Sequence, residues 1–238
     1  MNIQTLRLLL GCLLVGLLPP TAGFSQKANT LTPKEKKEGW VLLFDGTSLA
    51  GWKTPSGKPV PAGWEVKDGT LTARKGGKGG DIISENQYSD FDLMFDYTIE
   101  PTGNSGVKYF YTKYETGGNL GMEYQLLDDQ LAEDNKKENH LTGSFYDVLP
   151  PNAALKKQNA PGQWNTVRIV SKGMKVEHWL NGIKILEFTR GSQAFTDAVA
   201  LSKFNKAVPA FGTVAKGHIL LQEHGAEVSF KNVKINVL

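Results

Sequence analysis

In the stretch MEYQLLDD, Glu123 and Gln125 stand two residues apart, and in GHILLQEHG the pair Gln222 and His224 repeats that spacing. If both stretches are strands, side chains two apart share a face, so each pair sets hydrogen-bonding or proton-transferring groups side by side. A carboxylate beside an amide is costly in a dry core. Two readings follow: these residues line a groove, or they are solvent-facing positions of a half-exposed sheet. The stretch ENHLTGSFYD adds His140 and Tyr146 in a glycine-containing loop, a natural place for binding residues above a sheet. Asp128 and Asp129 close the first strand; they could take hydroxyls or a hard cation, but two adjacent acids make a poor metal signature and read equally well as exposed acids.

The elements that must position these groups are short apolar or alternating runs split by Gly, Asn, Asp and Pro. GWEVKDGTLTA places Asp68-Gly69, and MKVEHWLNGIKILEF places Asn181-Gly182, between two such runs; both are signatures of a tight hairpin with positive φ at its two central residues. Further strands are expected in FDLMFDYTIE, SGVKYFYTKY, MEYQLLDD, WNTVRIVSKG, GHILLQEH and AEVSFKNVKINVL. Even spacing without long amphipathic helical stretches points to an all-β chain, an antiparallel β-sandwich. Trp40, Phe44, Trp52, Trp64 and Trp164 read as core anchors at strand starts, and His178 as a structural residue of a hairpin strand. GGKGGD is a turn and not a phosphate loop, since no strand-to-helix switch or Lys-Ser/Thr follows it. No zinc-type His/Cys cluster and no Gly-x-Ser-x-Gly elbow is present.

The chain has 238 residues and a formal charge of +3, with Lys and Arg interspersed among Asp and Glu, so no basic stripe argues for nucleic acid. Residues 1–25 combine Arg7, the apolar run Leu8 to Leu18 and a small-residue segment; this pattern predicts a signal peptide cut near Ser25 and too short to span a membrane. The single cysteine, Cys12, falls inside it, and the apolar run continues beyond Cys12, which argues against lipid attachment there. The mature chain is then free of cysteine and folds without disulfides in the periplasm or outside the cell. Residues 26–39 read as a polar lead-in or short surface helix, and residues 40–238 as one domain beginning at Trp40.

Taken in order, GWVLLFDGTSLAGW, GNSGV, EYQLLDD, TGSFYD, GQWNTVRI, VEHWLNG, SKF and GHILLQEHGAEVSFKNVKI resemble the 3-keto-disaccharide hydrolase domain family, from about Trp40 to Leu238. The resemblance implies a jelly-roll sandwich similar to the concanavalin A-like lectins and glucanases. It also implies chemistry on a carbohydrate partner, a glycoside oxidised to a ketone at C3. Such a ketone acidifies the C2 hydrogen, so loss of that proton expels the glycosidic oxygen from C1 and water adds back, giving net hydrolysis. The reaction needs a base near C2, a donor or cation near the enolate oxygen and an acid for the leaving oxygen, and no redox cofactor.

With that resemblance, Glu123 is the leading candidate for the base and His224 its main rival, while Lys203 of LSKF would set positive charge beside the enolate oxygen. Gln125, Asp128, His140, Tyr146 and Gln222 are then the substrate-binding candidates, with Tyr146 able to donate to the leaving oxygen or stack on a sugar ring. Two other functions fit a sandwich with a polar groove. A conventional glycoside hydrolase would need a second carboxylate near Glu123, for which Asp128, Asp147 or Glu223 are the candidates. A lectin-like binding module would need no general base at all.

Overall fold

The computed structural model describes residues 27–114, 118–207 and 210–238. The leader segment with Cys12 and the cleavage near Ser25 lie outside the described residues. After a short helix, α1 (Pro33–Lys37), the alternating runs form strands: β1 (Val41–Leu42), β2 (Trp52–Lys53), β3 (Trp64–Lys67), β4 (Thr70–Ala73), β5 (Ile82–Tyr88), β6 (Phe91–Ile99), β7 (Asn104–Tyr114) and β8 (Gly118–Leu127). After a long loop come β9 (Asn165–Lys172), β10 (Lys175–Leu180) and β11 (Ile183–Thr189), then β12 (Gly217–Leu221) and β13 (Val228–Val237). Along β6 the period of two is plain, with Leu93, Phe95, Tyr97 and Ile99 buried and Met94, Asp96 and Thr98 half-buried between them.

All pairings are antiparallel, and they build two sheets. One runs β11-β10-β9-β6-β13-β4-β3 with β1 added on β13, and the other runs β2-β5-β12-β7-β8. Their inner faces share one apolar core, which includes Phe95, Tyr97 and Phe230 from the first sheet and Val107, Tyr109 and Tyr124 from the second. The chain is thus an antiparallel β-sandwich. Both expected hairpins carry the positive φ that two-residue turns demand, at Asp68 (50°) and Gly69 (74°) and at Asn181 (49°) and Gly182 (80°). His178 is a core residue: its Nδ1–H donates to Gly143 O (2.9 Å), its Nε2 accepts from the Tyr109 hydroxyl (2.8 Å), and burial pushes the imidazole down to about 4.

A bulge in β7 sets which residues face outward below the site. Pairing with β8 jumps from Tyr109–Met122 to Thr112–Leu120, and Phe110 takes φ 53°, rare for a bulky residue. The bulge keeps both Tyr109 and Phe110 in the core, with the Arg190 guanidinium 4.0 Å above the Phe110 ring. Outside it, Tyr111 joins Ile83 and Leu220 in a small separate apolar cluster. Leu220 therefore lies on the outer face and Leu221 in the core, so only one of this pair passes through the body of the sandwich.

Three features depart from the sequence expectations. Strand β5 went unread because its buried ends enclose an exposed Glu85-Asn86-Gln87 centre, which breaks the alternation. The β11–β12 connection holds two short helices, α2 (Gln193–Leu201) and α3 (Lys203–Ala207). Ser192 caps α2 by accepting from Phe195 N (3.2 Å), and Phe195 and Val199, four apart, bury its inner side. Finally, the residues ahead of Trp40 pack on the sandwich. The lead-in is docked: Asn29 Nδ2 donates to Gly69 O (2.7 Å), its Oδ1 accepts from Asn232 N (2.8 Å), and Glu35 pairs with Lys234. Asn29→Ala removes two such hydrogen bonds and puts alanine at φ 54°, so it is expected to cost about 2 kcal/mol in denaturant unfolding. A loss near zero would mean the lead-in contributes nothing to the fold.

Candidate active site

The site lies on the outer face of the five-stranded sheet, where β7 and β8 run side by side. Register sets Lys108 opposite Glu123 and Gly106 opposite Gln125, so the four positions form a square on one face. The core-facing neighbours Val107, Tyr124 and Leu126 are fully buried and fix the strands beneath it. Loops from both sheets and the start of α3 raise walls around this square, enclosing a cleft of about 910 Å³. Six of the eight candidates from the sequence line that cleft: Glu123, Gln125, Tyr146, Lys203, Gln222 and His224.

Glu123 sits at the floor, only 6% exposed, with its Oε2 3.5 Å from Lys108 Nζ. Burial pushes its carboxyl above the ordinary carboxylate value, and the charges of Lys108 and Lys203 pull against that shift without cancelling it. The amide orientation of Gln125 that pairs donors with acceptors lets its nitrogen donate to Glu123 Oε1 (3.1 Å) and Ser105 O (3.2 Å). Gly106 leaves room for the acid: a Cβ there would come within 2.3 Å of Glu123 Oε1. Strand β12 ends at Leu221, earlier than the sequence suggests, because Gln222 N makes one more bond to Gly106 O (3.0 Å) and Glu223 N then turns to Asp81 Oδ1 (3.0 Å). That turn frees His224, which stands exposed at the cleft wall with no hydrogen-bond partner among the described residues.

Two candidates do not line the cleft. Asp128 is buried and holds its own turn, accepting from Thr102 N (2.9 Å), Gln130 N (3.1 Å) and Leu131 N (3.2 Å). His140 lies behind Tyr146, ring centroids 4.6 Å apart, with Nδ1 2.8 Å from Asp134 Oδ1 and Nε2 2.8 Å from Asp147 Oδ1. Both its nitrogens are engaged, so neither is free to meet a sugar. Tyr146 lines the cleft but cannot serve as a ring platform or a free donor there. One ring face backs on His140, the Lys203 ammonium sits 4.3 Å from the ring centroid, and its hydroxyl donates to Asp134 Oδ2 (2.8 Å). Burial, that bond and the charges of Asp134, Glu123 and Asp147 raise the phenol well above its usual range, keeping it a donor. Burial would raise Asp147 too, but the bonds from Lys203 N–H and His140 outweigh it and hold the carboxyl below its ordinary value.

Several contributors were not singled out from the sequence. Lys108 and Gly106 become neighbours of Glu123 only through cross-strand register, although an isolated Gly inside a strand pattern is a signal of close approach. Asn104, at the start of β7, lines the cleft and lies 3.1 Å from the Gln125 amide. Asp81, the last residue of GGKGGD, is raised by burial against the opposing pull of Lys108, the Glu223 N–H and His224. The half-buried tryptophans elsewhere are covered by cations, Lys231 4.0 Å from the Trp164 ring and Arg168 5.5 Å from that of Trp179.

Comparison with known proteins adds a family to this geometry. Residues 39–236 match the model of the 3-keto-alpha-glucoside-1,2-lyase-like domain. A protein of Bacteroides thetaiotaomicron named 3-keto-disaccharide hydrolase is 29% identical over 84% of this chain and 79% of its own length. A crystal structure of a candidate glycosyl hydrolase from Parabacteroides distasonis is 34% identical, covers 89% of this chain and all of its own, and superposes with a TM-score of 0.80. A second such protein from the same organism reaches 26% identity and a TM-score of 0.63 over 84% of this chain and 99% of its own.

The floor geometry makes a direct demand on Gly106. Gly106→Ala is expected to cost about 1–3 kcal/mol in unfolding free energy, because the added methyl meets the Oε1, Cδ and Cγ of a buried side chain. It should also push the Glu123 carboxylate off Gly106, seen as a changed Glu123 carboxyl shift and titration by carbon NMR. An unchanged Glu123 signal would contradict the close approach.

Proposed function

From the premise that this chain belongs to the 3-keto-alpha-glucoside-1,2-lyase-like domain family, we propose that its cleft cleaves glycosides carrying a ketone at C3, with Glu123 as the base. The observation that carries this reading is the company Glu123 keeps: a buried carboxylate, raised toward the working range of a base, set among two ammonium groups. Glu123 takes the C2 proton. The electron pair of that C–H bond forms the enolate, whose oxygen faces the sheltered Lys108 ammonium, where such a charge acts strongly, or the more exposed Lys203 at the cleft wall. Collapse of the enolate breaks the C1–O bond, and the leaving oxygen takes a proton from His224 at the open wall. Water then adds its oxygen at C1 of the unsaturated ketone and gives one proton back to His224, while Glu123, its proton exchanged with solvent, protonates C2, so atoms balance to net hydrolysis.

The amides serve orientation. Gln222 Oε1 is buried without a hydrogen-bond partner among the described residues, an acceptor matched to a sugar hydroxyl. The three carboxylates named from the sequence as second acids for a two-acid glycosidase are otherwise committed. Asp128 and Asp147 hold backbone amides and His140, and Glu223 accepts from Gly225 N (2.7 Å) and Gly80 N (3.2 Å). The leader-like N-terminus supports action beyond the cytoplasmic membrane.

The test is incubation of the protein with a 3-keto-glycoside and with its unoxidised parent in deuterium oxide, followed by NMR. Cleavage of the keto form alone, with deuterium arriving at C2, is expected. Cleavage of the parent would establish an ordinary glycosidase, and binding of either without turnover a lectin. The pH profile carries a second expectation. Since Glu123 must be ionised to act, kcat/KM rises with pH through its raised pKa. Lys108→Met removes a charge that favours ionisation, so the acidic limb should move to higher pH, by about one unit. A limb that stays put or moves down would separate Lys108 from Glu123.

A further inference from the structure

We infer that Asp147, His140, Asp134 and Tyr146 are positioning residues that hold the Lys203 ammonium in the cleft through a closed circuit beginning and ending on Lys203. The circuit starts at the backbone, where Lys203 N–H donates to Asp147 Oδ2 (2.8 Å). Asp147 Oδ1 meets His140 Nε2 (2.8 Å), His140 Nδ1 meets Asp134 Oδ1 (2.8 Å), and Asp134 Oδ2 accepts from the Tyr146 hydroxyl (2.8 Å). The Tyr146 ring then receives the Lys203 ammonium at 4.3 Å from its centroid, with Phe204 offering a second ring at 5.2 Å.

Each link answers a physical need. A lysine has four rotatable stem bonds and about 2 kcal/mol of rotamer entropy, so an ammonium left to itself samples much of the space above the sheet. A carboxylate partner would fix it but would also neutralise it and occupy its N–H donors. Lys203 makes no ion pair among the described residues, and is held instead by aromatic faces, which leave its charge and donors directed at whatever enters the cleft. The Tyr146 ring can perform this task only if it does not recede, and the His140 ring packed behind it at 4.6 Å, tilted by 39°, prevents that. Asp147 itself sits at φ 59°, a left-handed conformation that Asp tolerates and that lets one carboxylate reach both His140 and the start of α3. Tyr146 N also donates to Glu123 O (3.1 Å), so ring and base are tied to the same strand.

This inference rests on the reading that Lys203 stabilises charge in the cleft, but its test needs no substrate. The rate at which an amine-reactive acetylating reagent labels Lys203 in the folded protein is read by peptide mass spectrometry, for the parent and for Tyr146→Phe, Tyr146→Leu, His140→Gln and Asp147→Asn. Tyr146→Phe keeps the ring and should stay within about 2-fold of the parent, whereas Tyr146→Leu should raise labelling about 5-fold. His140→Gln and Asp147→Asn, which break other links, should raise it in the same direction. With a 3-keto-glycoside, Tyr146→Leu should lower kcat about 10-fold with a smaller change in KM, and Tyr146→Phe should recover most of that loss. Folding of each variant is checked by circular dichroism; if one fails, the remaining three carry the comparison. Labelling of Lys203 that does not change in folded variants lacking the ring or Asp147 would overturn the inference. A labelling increase without loss of turnover would uphold the positioning and count against the catalytic part given to Lys203.

Discussion

The burial of one carboxylate organises this molecule's active face. Glu123 sits on the floor of the cleft beneath substrate level, where its charge is costly, and nearly every local peculiarity relates to that cost. Gly106 gives up its side chain to admit the acid, Lys108 stands across the strand at 3.5 Å, and Gln125 offers an amide from two residues along. The opposing influences leave Glu123 raised above an ordinary carboxylate, which makes its ionised form a stronger base. A fully compensated ion pair would be too weak a base, and an isolated buried acid would stay protonated.

The sandwich supplies the rigidity this balance needs. Beneath Glu123 the sheet is pinned by fully buried tyrosines, Tyr109 and Tyr124, and by the neutral His178 that Tyr109 engages. The bulge at Phe110 lets β7 turn two consecutive aromatics into the core while Lys108 and Gly106 keep their outward positions. Beside this positive φ the buried Arg190 guanidinium packs on the Phe110 ring. A platform of paired strands carries Glu123, while the loops and α3 carry groups that need only approach it.

Much of this was legible in sequence, and the limits have physical causes. The Asp68-Gly69 and Asn181-Gly182 turns announce themselves because few residue pairs tolerate two positive φ values. Alternation in MEYQLLDD places Glu123 and Gln125 on one face, whereas Gln222 and His224 both reach the cleft through the turn after β12, not through alternation along a strand. What a single strand cannot disclose is its partner: Lys108 and Gly106 face Glu123 only through register with another strand. His140 and Tyr146 share the loop their stretch indicates, but their contacts depend on Asp134, Asp147 and Lys203, the last carried by the short helix α3. Strand β5 escaped because its central residues are exposed on both faces, so burial, which creates the alternation, is missing there.

The central claim is that Glu123 removes the C2 proton of a 3-keto-glycoside. It is tested most directly by comparing a substrate carrying deuterium at C2 with its protiated form, in the parent protein and in Glu123→Gln. The account predicts a primary isotope effect on kcat/KM in the parent and loss of turnover by at least about 1,000-fold in Glu123→Gln, whose amide cannot accept the proton. A variant that retains turnover with the same isotope effect would contradict it and place the base elsewhere in the cleft.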